Sequence, residues 1–478
     1  MAATSALDYA LSCVRRDGSD LLRPERVNQL ARGCGHAFRD TPLKPGETLV
    51  LFVRQVAHGN VACSAVSHLA GEGLSFTDSA WCQARSRLPL DLVRRVHGEV
   101  AEAARREMEL AGDVGDGPES YRWRGHRVHV VDGTSDSMPD TPPLRSHYGV
   151  PARCREGLGF PTAHLLVTMD HRSGLVLGCV DSPLNASDLS RVSSAHALLA
   201  EGDVLLGDDA FAGWTHLALI LQAKLHAVTP AHHKRVVDFT PGRPHAPRRS
   251  KCKSKGKGAG KPTSRLVRTL GEDDQVVEYF KPAQKPAWMA AERWEQLPDS
   301  IAVREVRRTV KRKGFRPITV TVVTTLLDPD VYPADELVEL RLTRWMVETN
   351  IRHLKTTPGM DVLKCKTVEG VRKERLVFLL LYNLIRLLML RAARRQRVNI
   401  NRLSFADALA WLRFAEAGPG AGAAGGADAA PPALKVNPLR EGRLEPRALK
   451  RQKKEFPYMT VPRAAFKAQL RATYCDMS

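Results

Sequence analysis

The chain lacks any Cys-x-x-Cys pair. Its nine cysteines, Cys13, Cys34, Cys63, Cys82, Cys154, Cys179, Cys252, Cys365 and Cys475, are scattered along 478 residues. Thiols spaced this way build neither a disulfide framework nor a zinc site, and they read as reduced core or surface residues. No basic segment followed by an apolar run opens the sequence, so no secretory signal is expected. The longest apolar stretch, Leu376 to Leu390, is shorter than a bilayer requires and contains Asn383 and Arg386, so no membrane partner is expected. Internal repeats are also missing. Acidic residues are in deficit: 52 Asp+Glu stand against 72 Lys+Arg, giving a net charge of +20 and a pI near 9.8. Such an excess favours polyanions, because neutralised phosphates release their condensed counterions. Nucleic acid is the expected partner, and the compartment that holds the DNA is the expected location.

What is present is enough for about three domains, at roughly 100–200 residues each. The hydrophobic fraction of 43% can bury a real core. Residues 1–120 are expected to be all-helical. Glu47–Leu69 and Ala80–Leu110 carry apolar residues at helical spacing, with Thr77 and Asp78 able to cap the second. At Arg127 the pattern changes. Residues 127–131 read as a strand ending at Asp132-Gly133, followed by strands His164–Met169 and Leu175–Val180 around a turn at His171–Gly174. A helix over Ser187–Glu201, a strand over Asp203–Gly207 ending at Asp208-Asp209, a helix over Trp214–Ala223 and a strand over Leu225–Thr229 complete a mixed α/β segment, 121–229.

Residues 230–316 read as a β-rich basic insertion, with strands at Gln275–Phe280 and Ile301–Val310. Its Lys/Arg/Gly/Pro-rich stretch, 233–268, is either a disordered loop or an ordered DNA contact. Gly260-Lys261 is followed by Pro262 with no strand before it, which excludes a P-loop. Residues 317–415 return to the core through strand Ile318–Leu327, one helix over Asp335–Lys355 and a very apolar helix over Val368–Arg395. Residues 416–478 hold a Gly/Ala/Pro linker, Gly418–Pro432, and a basic tail.

The chemistry rests on carboxylates. On a helix over 335–355, Arg341, Arg344, Glu348, Arg352 and Lys355 share one face, and Leu340, Val347, Ile351 and Leu354 take the other. Alone, this is a solvated face of i,i+4 pairs. Together with Asp132 and Asp208 on neighbouring strand ends it becomes a three-carboxylate cluster without Cys or His. Such a set suits a hard cation, Mg²⁺ or Mn²⁺. Two such ions roughly 4 Å apart serve phosphodiester chemistry, and the flanking cations would grip phosphates. Asp208 and Asp209 leave the strand in different directions, so only one of the two can be the ligand. Asp136 and Asp140 read as turn or cap residues. Trp288, Trp294 and Trp345 are candidates for base stacking or core packing. Asn383 and Arg386 read as buried partners.

At these residues the sequence resembles the DDE transposases of the IS4 group. The matching segments are VDGTSDSMPDTP around Asp132, GLGFPTAHLLV from Gly157, GDVLLGDDAF around Asp208, and RLTRWMVETNIRHLKTTPGMDVLKCKT around Glu348. The resemblance covers roughly residues 120–400. It implies a ribonuclease-H-like catalytic core interrupted by the β-rich insertion and preceded by the helical domain. It also implies catalytic, metal-binding roles for Asp132, Asp208 (rather than Asp209) and Glu348, with Arg344 and Lys355 at the family's Arg and Lys positions. Arg341 and Arg352 join them as expected DNA contacts. Arg341 stands where the family has Tyr, and altered DNA binding is expected from that change. The implied activity is cut-and-paste transposition with two metal ions. Terminal inverted repeats would be read by residues 1–120, with a hairpin intermediate, a homodimeric synaptic complex and a target duplex, in the cytoplasm on the nucleoid. The alternatives are a transposase-derived DNA-binding protein that no longer cuts, and a host nuclease without strand transfer.

Overall fold

The computed structural model describes residues 6–12, 14–16, 19–70, 74–110, 121–152, 154, 158–244, 262–311, 317–355, 358–415, 432–438 and 461–475. Most of the Lys/Gly-rich stretch and of the Gly/Ala/Pro linker (residues 245–261 and 416–431) lies outside these.

The N-terminal part is helical: α1 (Ala6–Ser12), α2 (Pro24–Gly33), α3 (Pro45–Ala57), α4 (Asp78–Arg87) and α5 (Leu90–Leu110), with a small hairpin of β1 (Arg15–Arg16) and β2 (Ser19–Asp20). Thr77 caps α4 by accepting from the Ala80 amide at 3.2 Å. The single helix expected over Ala80–Leu110 is two. Pro89 has no N–H to continue the ladder, and α5 starts just after it.

A nine-stranded mixed sheet follows. Its strands are β3 (Val128–Ser137), β4 (Thr162–Asp170), β5 (Val176–Pro183), β6 (Val204–Leu206), β7 (His226–Pro230), β8 (Arg265–Gly271), β9 (Asp274–Phe280), β10 (Ser300–Val310) and β11 (Ile318–Thr324). The spatial order is β5-β4-β3-β6-β7-β11-β10-β9-β8. Among the described strands of this sheet, only β3–β6 and β6–β7 pair in parallel. The β-rich stretch therefore continues the sheet, with β10 pairing to β11 and β9. The helices between strands are α6 (Pro142–Tyr148), α7 (Val192–His196), α8 (Trp214–Gln222) and α9 (Ala291–Glu295). The helix expected over Ser187–Glu201 is reduced to α7 and a 3-10 turn at Asp188–Ser190.

Past the sheet come α10 (Ala334–Thr343), α11 (Met346–Lys355), α12 (Val368–Gln396), α13 (Phe405–Phe414) and α14 (Arg463–Cys475). Strand alternation sends side chains to two faces. Val130, Leu165, Val167 and Leu206 join a core with α12 and the N-terminal helices. Val131, Leu166, Leu205 and Ala227 join a second core with α7 and α8.

Helix α12 is long and apolar enough to cross a membrane, yet 89% of its most apolar window is buried inside the protein. Leu376–Leu390 is only the middle of this 29-residue helix. Asn383 uses its amide to satisfy edge strand β5, bonding both the N–H and the C=O of Val176 at 2.8 Å. Arg386 donates to the Ser173 carbonyl at 2.7 Å. Both are buried partners, as their setting among leucines required.

Candidate active site

Asp132 lies in the middle of β3, not at its end. The strand runs on to Ser137, every residue paired with β4, from Asp132↔Val167 to Ser137↔Thr162. Asp132 shares the α12-facing side with Val130. Its Oδ1 accepts from the Gly133 amide at 2.9 Å, and its Oδ2 from Arg344 Nη1 at 3.0 Å. Burial pushes its carboxyl up, Arg344 and the Gly133 amide pull against that, and the charge of Asp208 adds to the rise.

Asp208 lies just past β6, the parallel neighbour of β3. The β3–β6 ladder ends at Val130↔Leu206; two residues further along each segment lie Asp132, still within β3, and Asp208, past the end of β6. Gly207 is required between: a Cβ there would sit 2.7 Å from Phe211 Cβ. Asp208 caps the following 3-10 turn, Asp209–Ala212, by accepting from the Ala210 amide at 2.9 Å. Asp209 points elsewhere, to His233 Nδ1 at 2.6 Å. Beneath the turn, the His216 Nδ1–H donates to the Phe211 carbonyl at 2.6 Å, and its Nε2 meets His196 Nε2 at 3.2 Å. Burial pushes the two rings down to about 4 and about 3, so both are neutral at pH 7. This histidine pair, unnoticed in the sequence, anchors the turn that carries Asp208.

Glu348 does not lie on one continuous helix with Arg341. The chain breaks at Arg344-Trp345 into α10 and α11. Leu340, Val347 and Leu354 still face the core. Arg344, at the break, donates to Asp132 and also reaches Glu348 Oε1 at 3.4 Å. Glu348 is itself exposed, in the first turn of α11. Arg341 is half-buried, and its Nε has no hydrogen-bond partner among the described residues. Burial, followed by Arg344, lowers its guanidinium to about 10, against the opposing pull of Asp208, Asp209 and Glu348. Asp132, Asp208, Glu348, Arg341 and Arg344 thus form one neighbourhood. Arg352 is exposed at its margin. Lys355 is half-buried, and its charge reaches Asp136.

Asp136 is no turn residue. It is buried in β3 and takes a bidentate bond from Arg375 on α12, at 2.7 and 3.0 Å. Asp181 of β5 extends the network, accepting from Tyr148 at 2.6 Å and Arg372 at 3.0 Å. Burial works against the Asp181 carboxylate, but Arg375, Tyr148 and Arg372 together hold it below its usual range. Asp140 pairs with Arg145 at 2.7 Å. Trp294 packs edge-on to Trp214, Trp288 packs on the α8 side, and Trp345 is 58% exposed beside Arg344.

Asp132, Asp208 and Glu348 offer oxygen donors only, a set that fits a hard divalent cation. Residues 123–384 match the family described as "Transposase DDE domain", and this span includes all three acids. The chain is similar to the transposase InsG of insertion sequence element IS4 from Escherichia coli strain K12. The two are 24% identical over 338 residues, 69% of this chain and 65% of that protein. The match thus spans under two thirds of that relative's length. Among solved structures, it is similar to a cryo-EM structure of a piggyBac transposase synaptic complex with hairpin DNA. That likeness has a TM-score of 0.40 and 8% identity, over 86% of this chain and 78% of the other.

Proposed function

This chain belongs to the transposase DDE-domain family, and from that premise we propose that it is an IS4-group transposase that moves its element by cut and paste. Its catalytic carboxylates are Asp132, Asp208 and Glu348, carried on a ribonuclease-H-like core. The observation that carries this reading is Arg344, which spans Asp132 and Glu348, while Asp208 lies just past the end of β6, the parallel neighbour of β3. The three acids would hold two Mg²⁺ or Mn²⁺ ions, which when bound activate an attacking oxygen and stabilise a leaving one.

Arg341, Arg344, Arg352 and Lys355 grip phosphates of the scissile strand. Trp345, exposed at the helix break, offers a ring on which a displaced base stacks. Water breaks the phosphodiester at the element end and frees a 3′-OH. This attacks the opposite strand, closing a hairpin and releasing the flanking DNA. Water reopens the hairpin, and the 3′-OH then attacks a phosphodiester of the target duplex and displaces a target 3′-OH. The N-terminal helices within residues 1–120 read the terminal inverted repeats, two copies of the chain pair the ends, and the reaction takes place in the cytoplasm on the nucleoid.

The test is Mg²⁺-dependent cleavage of element ends by Asp132→Asn, Asp208→Asn and Glu348→Gln. Each variant is expected to lose cleavage while retaining DNA binding. Near-wild-type cleavage by any one removes that residue from the site. A joining assay with target DNA separates a transposase from a nuclease that cuts without strand transfer.

A further inference from the structure

Strands β6 and β7 are parallel neighbours, Leu206 opposite Val228, so the chain leaves both at the same edge of the sheet. Past β6 comes Asp208-Asp209, and past β7 comes Ala231-His232-His233. This topology sets two imidazoles beside the acid that turns away from the carboxylate cluster. One donor atom from each of Asp209, His232 and His233 lies within 4.8 Å of the others. His233 Nδ1 is 2.6 Å from Asp209 Oδ2. The rings of His232 and His233 stack, centroids 4.3 Å apart and planes at 24°. The Lys234 amide donates to His232 Nδ1 at 3.1 Å, so that nitrogen carries a lone pair, which a bound cation would take in place of the amide.

We propose that Asp209, His232 and His233 form a second metal site, one for a Zn²⁺-class transition cation. The donor chemistry separates it from the neighbouring acids. Two imidazole nitrogens and one carboxylate oxygen suit Zn²⁺, Co²⁺ or Ni²⁺, whereas Mg²⁺ takes oxygen donors. The bare Asp209–His233 pair is mostly exposed, 41% and 66%, and an ion pair that open contributes little by itself. Three protein ligands leave a position for water or a phosphate oxygen. Both imidazoles line a cleft with Arg235, Arg307 and Arg341, a basic wall on which a nucleic-acid phosphate can lie. A cation held here ties the segment after β7 to the turn that carries Asp208.

The test is titration of the full chain with Co²⁺, without DNA or Mg²⁺, read by its visible ligand-field absorption and by displacement with Zn²⁺. One tight equivalent is expected. The double variant His232→Gln/His233→Gln, and separately Asp209→Asn, should weaken it by at least roughly tenfold, with metal-free unfolding temperatures unchanged. Asp132→Asn/Glu348→Gln should retain it. No tight equivalent in the wild type, wild-type affinity in the histidine variant, or loss of the signal in Asp132→Asn/Glu348→Gln each overturns a separate site. None of these readouts depends on cleavage, so the transposase reading can fail without this one, and the reverse.

Discussion

Arg344 donates to Asp132 at 3.0 Å and reaches Glu348 at 3.4 Å, so one guanidinium joins a strand acid to a helix acid across the helix break. It balances two negative charges that would otherwise repel. Arg344→Ala is expected to lower element-end cleavage by about 10²–10³-fold, the scale of losing one preorganised charge donor. Arg344→Lys should recover only part, because an ammonium cannot fork between two carboxylates. Single-turnover cleavage measures both, and full activity in Arg344→Ala would sink the role.

Burial pushes the Asp132 carboxyl above its ordinary value of 3.8, with Arg344 only partly opposing. The folded chain therefore holds this proton to higher pH than the unfolded chain. Its stability falls as pH rises from the ordinary value through the raised one, and the full cost is present above that. Asp132→Asn carries no charge to bury. It is expected to match or exceed the wild-type unfolding temperature at pH 7, the difference vanishing below about pH 4, while cleavage is lost. A variant less stable than wild type at pH 7 but equal to it near pH 4 would contradict this sign.

The Asp136–Arg375 pair is almost fully enclosed, 0% and 4% exposed. Removing one partner leaves a buried charge without its counter-ion, at a cost of about 3–5 kcal/mol. Asp136→Ala and Arg375→Met should each lower the urea midpoint strongly, and the double variant should lose less than the two combined. Strict additivity would show that the pair does not act as a unit.

Trp345 is 58% exposed, so its removal should leave stability within about 0.5 kcal/mol. If a base stacks on it, Trp345→Ala weakens binding of pre-nicked or hairpin ends by about 1–3 kcal/mol, while Trp345→Phe keeps most of the affinity. Unchanged binding by Trp345→Ala would leave the ring without that role.

Much of this was legible in the sequence. The five strands β3 to β7 with helices before and after β6, the His171–Gly174 turn and the buried roles of Asn383 and Arg386 follow from local pattern and polarity, whereas α6 between β3 and β4 was not foreseen. What was not legible depends on tertiary pairing. Gly133-Thr134-Ser135-Asp136-Ser137 does not look like a strand, yet pairing with β4 carries β3 through it. Nothing in Leu342-Thr343-Arg344-Trp345-Met346 announces a helix break, since no Gly or Pro lies there. Asp136 and Arg375 are 239 residues apart, and no periodicity links them. The neutral His196–His216 pair was invisible for the same reason.

Helix α12 packs on α3 and α5 as well as under the catalytic sheet, and a single apolar core runs through all of them. The N-terminal helices are therefore part of the same packed body as the sheet. A chain shortened to begin near β3 would bare a leucine-rich spine to solvent, and the expected product is an aggregate. The same continuity fixes the N-terminal helices against the sheet that carries Asp132, so anything bound on those helices would be held at a set angle to it, through one close-packed interior.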